Sequence, residues 1–183
     1  MNRRGFLAMA GAALAASAGA HTPYGQWVVY RQKHLLIGSH RKDMHTYDLA
    51  KRVVSGLAAE LPEAQARVAR GPRPQRIASL IGTEQLFDTV LSAEEAERMA
   101  RADAPFEGYP PTPVQALAAL DADYLLFAAP AFPQDHARLV TQAVDHAGLG
   151  RAPNKADMHP GAAVYWSCSI APTPRAVTPL AWL

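Results

Sequence analysis

Cysteine occurs once in the 183 residues, at Cys168, so no disulfide can close within the chain. In "WSCS" no base adjoins that thiol, which reads as buried or inert rather than as a nucleophile. An excess of charge is also missing. Lys and Arg number 18 against 16 Asp and Glu, and two of the cations, Arg3 and Arg4, sit at the extreme start. Setting those two aside leaves 16 basic residues facing 16 acidic ones, and a neutral chain has no electrostatic motive for a nucleic-acid partner. There is no internal repeat, and the length suggests one domain. What is present in quantity is apolar surface, at 49%, against 19% charged residues. That supports a packed core and excludes wholesale disorder. The 15 prolines cluster at 105–113 and after Pro153, where loops or tails are expected.

No long, strongly apolar run supplies a membrane anchor. The opening "MNRRGFLAMAGAALAASAGA" is weakly apolar and mostly alanine and glycine, and it reads as an export signal over residues 1–20. The small side chains of Ala18 and Ala20 suit a signal peptidase groove, which places cleavage before His21. Arg3 and Arg4 ahead of Phe6-Leu7 read as a twin-arginine signal; a short basic start for general secretion is the other route. Either route delivers the protein to the periplasm.

The mature chain alternates strand and helix signals. Leu35 to Ile37 is a short apolar run stopping at Gly38, as in a buried central strand. Thr46 is placed to cap a helix with Asp48 in its first turn, and Leu49, Val53, Leu57 and Leu61 give it an apolar face up to Pro62. "ARVARG" reads as a second strand, Pro74 as the start of a helix burying Ile77, Leu80 and Ile81, and "LFDTVLS" as a third strand. Ser92 followed by Glu95 forms a capping box for the next helix. The segment "APFEGYPPTPVQ" is a proline-rich connector, and Tyr124 to Ala129 is the fourth strand. A helix follows with Leu139, Val140, Ala143, Val144 and Ala147 inward and Gly148 as its stop. The class is α/β: one three-layer lobe over residues 21–165 around a mainly parallel sheet, with an extended tail over 166–183. Trp182 is placed to dock that tail on the body.

Three kinds of chemistry can be weighed. His34 and His40 stand at opposite ends of a strand, roughly 20 Å apart at about 3.3 Å per residue, so they cannot share an ion. His40, Asp43 and His45 could meet in a loop, but nothing fixes their geometry, and no metal is expected. Gly38-Ser39-His40-Arg41-Lys42 follows a central strand and precedes a helix, which suits a carboxylate or phosphate at the strand ends. A structural turn with solvated Arg41 and Lys42 fits the same residues. The glycines of a phosphate-cradling loop are missing, and so is a Gly-x-Ser-x-Gly elbow, so neither a cofactor nor a catalytic residue is expected. An envelope enzyme using Cys168 or a loop histidine is the weakest reading. His159, in "KADMHPGAAVYW", has no nearby nucleophile or acid and reads as part of a turn made by Pro160 and Gly161.

The order of these pieces resembles a known family. "HLLIGSHRKDMHTYDLAKRVVSGLAAEL", "RIASLIGTEQLFDTVLSAEEAERM" and "LAALDADYLLFA" are similar to the first lobe of TAXI-type solute-binding proteins of TRAP transporters. "ARLVTQAVDHA" and "HPGA", followed by Tyr165, resemble that family's last helix and C-terminal signature. The resemblance implies a type II periplasmic-binding-protein-like lobe that takes a small organic solute and delivers it to membrane permease subunits. Family members carry a second lobe between the fourth strand and the late helix, whereas here Ala129 runs almost directly into "PAFPQDHARL". Where the family has a Ser and an Asn after the second strand, this chain reads Pro72-Arg73-Pro74-Gln75-Arg76. The residues expected to hold a small anionic or polar solute are Ser39, His40 and Tyr47, with Gln75 from the next loop. The alternative is an envelope scaffold, or a homodimer, that uses the surface left by the missing lobe for docking.

Overall fold

The computed structural model describes residues 33–154 and 157–169. Arg3, Arg4, Ala18, Ala20 and Trp182, singled out above, lie outside those residues. Five strands, β1 (Leu36–His40), β2 (Arg67–Gly71), β3 (Asp88–Ser92), β4 (Gln115–Ala119) and β5 (Tyr124–Ala128), form one sheet in the order β2-β1-β3-β5-β4. Among the described residues five α-helices accompany them: α1 (Met44–Glu60), α2 (Pro74–Gly82), α3 (Ala93–Arg101), α4 (Gln134–His146) and α5 (Pro160–Ser169).

The α/β class is as expected, but the sheet is mixed rather than mainly parallel. β1 pairs in parallel with β2 and β3, while β5 pairs antiparallel with both β3 and β4. The fourth strand is Gln115–Ala119, which starts at the end of the proline-rich connector, ahead of the expected strand, and Tyr124 opens a fifth strand running the other way. Only Leu120 to Asp123 separate the two, and the Leu120 N–H donates to the Tyr124 carbonyl at 2.9 Å. A link that short can reverse the chain but cannot carry it across a sheet face.

Side-chain alternation along the strands divides the core in two. Ile37 and Val90 pack with Leu49, Val53 and Leu57 of α1, Val140 and Val144 of α4, and Trp166 of α5. Leu36 and Leu91 face the other way, onto Ile77 and Ile81 of α2 and Met99 of α3. The result is three layers, with three helices on one face and two on the other. Gly38 sits where a Cβ would stand 2.7 Å from Leu86 Cδ2 and 2.8 Å from Thr89 Oγ1, so the close approach of β3 to β1 needs the missing side chain.

Several local expectations are corrected. The cap of α1 is Asp43, whose carboxylate accepts the His45 N–H at 2.8 Å; Thr46 lies buried in the first turn and donates to the Asp43 carbonyl. Asp43 wins because its carboxylate reaches the free N–H of the second helical residue. Leu139 of α4 is exposed, since Ala137, Val140, Thr141 and Val144 carry the buried stripe. His159-Pro160-Gly161 does not turn the chain back. Pro160 opens α5, where its fixed φ suits a first helical residue, and Gly161 lies in the first turn. A Cβ on Gly161 would collide with the Gln134 carbonyl oxygen, so this glycine lets α5 meet the start of α4. Residues 166–169 are helix rather than extended tail, and buried Trp166 donates from Nε1 to the Leu117 carbonyl at 2.9 Å. The chain leading into α5 also covers the outer side of β4: Arg151 and Ala119 exchange backbone hydrogen bonds of 2.9 Å, and the His159 N–H donates to Ala116. An edge that would otherwise expose unpaired amides is thereby closed.

Candidate functional site

The carboxyl ends of β1, β2 and β3 lie together, because parallel strands share a direction. α1 and α2 begin there after short links, and α3 follows β3 directly. Ligands of open α/β sheets settle beyond such strand ends. His40 is the last residue of β1 and is buried to 1% exposure. Its Nε2 lies 3.1 Å from Glu95 Oε2, at the start of α3, and its Nδ1 is buried with no hydrogen-bond partner. Gln75, in the first turn of α2, donates from Nε2 to the Pro105 carbonyl at 3.0 Å and leaves its Oε1 buried and unpartnered. Ser39 is fully buried and its hydroxyl is unpartnered too.

Among the described residues, the buried side-chain polar atoms without a partner belong to Ser39, His40, Gln75 and Asp88. Three of these four were singled out from the sequence as ligand residues. They do not all face one side. Alternation sends His40 with Leu36 to the α2–α3 face, where Gln75 begins α2, and sends Ser39 with Ile37 to the α1 face. Tyr47 makes ring contacts of its own, with Arg70 of β2 4.1 Å and Lys51 4.7 Å from its centroid.

Glu95 is the partner that sequence reasoning missed. Ser92 Oγ does accept the Glu95 N–H at 3.1 Å, as a capping box requires. The Glu95 carboxylate, however, turns to His40, and only a tertiary contact could reveal that. Asp43, His45 and His40 do not converge on an ion. Asp43 accepts the Tyr124 hydroxyl at 2.9 Å, His45 pairs with Asp121 at 3.1 Å, and His40 pairs with Glu95. No group of three or more His, Cys, Asp or Glu among the described residues could hold a metal. The hydrogen bond to Asp43, with burial behind it, pushes the Tyr124 phenol up to about 12.

His159 is spoken for at both ring nitrogens. Nδ1 accepts the Gly161 N–H at 3.2 Å, so Nε2 carries the proton and lies 3.2 Å from the Phe132 carbonyl. Burial holds the imidazole below its usual pKa, which keeps it neutral. It caps α5 and ties it to the loop ahead of α4, a structural task. Cys168 is exposed on α5 rather than buried. No helix among the described residues is long and apolar enough to cross a membrane.

The chain matches no protein-family model, no curated protein and no solved structure. The geometry of the site therefore carries the functional reading.

Proposed function

We propose that the protein is an exported receptor of the solute-binding kind that its sequence resembles, reduced to a single type II periplasmic-binding-protein-like lobe. It takes a small anionic or polar organic solute at the carboxyl ends of β1, β2 and β3 and serves a membrane permease. One observation carries this reading: His40 Nδ1 and Gln75 Oε1 are both buried without a partner on one face at that end of the sheet. A buried polar atom left unpaired costs about 1–3 kcal/mol, so such atoms call for an explanation, and a ligand that pairs with them is one. His40 and Gln75 would contribute hydrogen bonds from one face, while Arg41 and Lys42, exposed just past β1, supply positive charge. Glu95 fixes the His40 ring and would repel an acid placed directly on it, which steers an anionic group towards Arg41 and Lys42.

The short hairpin Leu120 to Asp123 stands at the carboxyl end of β4, on the same side of the sheet. This is where a second lobe would have to be attached, rather than after Ala129. The test is a thermal-shift screen against dicarboxylates, amino acids and related acids. A ligand at 100 times its Kd stabilises by roughly 2.7 kcal/mol, which for a domain of this size raises the melting midpoint by about 5–10 °C. His40→Ala and Gln75→Ala should abolish the rise, and Tyr47→Phe should leave it. If none of these acids shifts the midpoint, the solute reading fails and the lobe is a docking scaffold.

A further inference from the structure

The opposite end of the sheet carries a different feature. A cleft of about 730 Å³ opens where β1 and β3 begin, bounded by Leu61 to Ala64, by the loop after β5 and by the first turns of α4. That is within the range of pockets that enclose small organic ligands. Its walls are largely apolar. Phe87 and Phe132 stack with ring centroids 6.0 Å apart, and Val140 and Leu139 of α4 continue the surface. Asp88 lines the same cleft. It is 0% exposed, and neither carboxylate oxygen has a hydrogen-bond partner.

An unpaired carboxyl in an apolar setting is costly, and burial pushes it well above the usual carboxylate range. Alternation points it to the α1–α4 face, into the layer where Phe132 and Val140 lie. Nothing in the proposed solute site uses it, since β1 and β3 separate the two ends of the sheet. Among the described residues, the other charged or titratable groups lining the cleft are Lys33, His34, Glu63, Glu84 and His136. Among these, the acidic side chains outnumber the lysine. An organic anion would meet like charge here, and a neutral alcohol would leave the carboxyl in its acid form. An ammonium group supplies both the missing donors and the missing charge, in hydrogen bonds about twice as strong as neutral ones.

We propose that this cleft binds a small organic amine, with its apolar body against Phe87, Phe132 and Val140 and its ammonium on the Asp88 carboxylate. Burial without a partner favours the acid form of Asp88 in the free protein, so a protonated amine that pairs with the carboxylate displaces the carboxyl proton to solvent. Binding and proton release are thus one event.

The experiment is calorimetric titration of the purified full-length chain with phenethylamine, 3-phenylpropionate and 2-phenylethanol, which share an aromatic body and differ in charge. Saturable one-to-one binding is expected for the amine, at least tenfold tighter than for either control. Repeating it at pH 7 in buffers of different ionisation enthalpy should reveal close to one proton released per amine bound. Asp88→Asn should lose the amine preference while still folding. Equal binding of the anion or the alcohol, binding without proton release, or unchanged affinity in Asp88→Asn would each overturn the proposal. Should Asp88→Asn fail to fold, Leu139→Arg takes its place. That position is exposed at the edge of the cleft, so the new cation should weaken amine binding at least tenfold, and no change overturns the assignment.

Discussion

The Tyr124 hydroxyl donates to Asp43 Oδ2 at 2.9 Å, so the first residue of β5 holds the capping residue of α1 across 81 positions of sequence. The contact fastens the β4–β5 hairpin beside the candidate solute site. Its neutral phenol is the donor, and the folded protein retains that proton up to about pH 12. An unfolded tyrosine ionises near pH 10. The contribution is therefore complete below pH 10 and is lost as pH rises from there through the folded value. Tyr124→Phe should remove about 1 kcal/mol of stability at pH 7. It should also flatten the loss of stability between pH 10 and 12, followed by urea unfolding at each pH.

The pair between His40 and Glu95 makes a second test. Removing the carboxylate in Glu95→Ala would leave both nitrogens of a buried ring without a partner. The expected cost is about 1–3 kcal/mol, read from the denaturation midpoint at constant slope. Glu95→Gln keeps an acceptor in place and should lose less than half of that.

Asp88 sets the pH response in the opposite sense to a salt-bridged acid. Its folded pKa is raised, so the folded state keeps a proton that the unfolded chain gives up near pH 4. Stability is greatest below that point and falls as pH rises through the folded value. In the absence of ligand, Asp88→Asn should stabilise the chain by about 1–3 kcal/mol at pH 7, and the gain should vanish near pH 4. A loss of stability at pH 7 would mean that the carboxylate has a partner in the folded state.

His159 titrates in the other direction. Burial lowers its folded pKa, so its stabilisation is present above the unfolded value near 6.5 and is lost as pH falls below it. His159→Ala strips the Gly161 N–H and the Phe132 carbonyl of their partners and opens a void. It should cost about 2–4 kcal/mol at pH 7, and hydrogen exchange should show α5 loosened first.

Much of this architecture could be read from the chain. β2, β3 and the Ser92 cap follow from apolar runs and capping residues, the strand-end argument picked out Ser39 and His40, and the family resemblance added Gln75. What escaped has specific physical causes. β4 is an alanine-rich run, poor in the β-branched and aromatic residues that mark strands, and its hairpin lacks a glycine in Leu120 to Asp123. α5 reads "PGAAVYWSCS", in which proline and glycine signal a turn and the apolar residues favour no single face. Its helix is imposed by packing on α4 and by Trp166 reaching Leu117. The Glu95 side chain, read as half of a capping box, is instead the partner of His40, while Asp88 looked like an ordinary start to a strand.

The β4–β5 hairpin has a structural corollary. Its two strands part company at neighbouring points and rejoin within four residues, Leu120 to Asp123, at a rim of the sheet. Such a seam would accept a whole folded body spliced between its edges, because neither strand need shift to make room. A one-lobed and a two-lobed protein built on this plan would differ by a single excision, with every other element left in register.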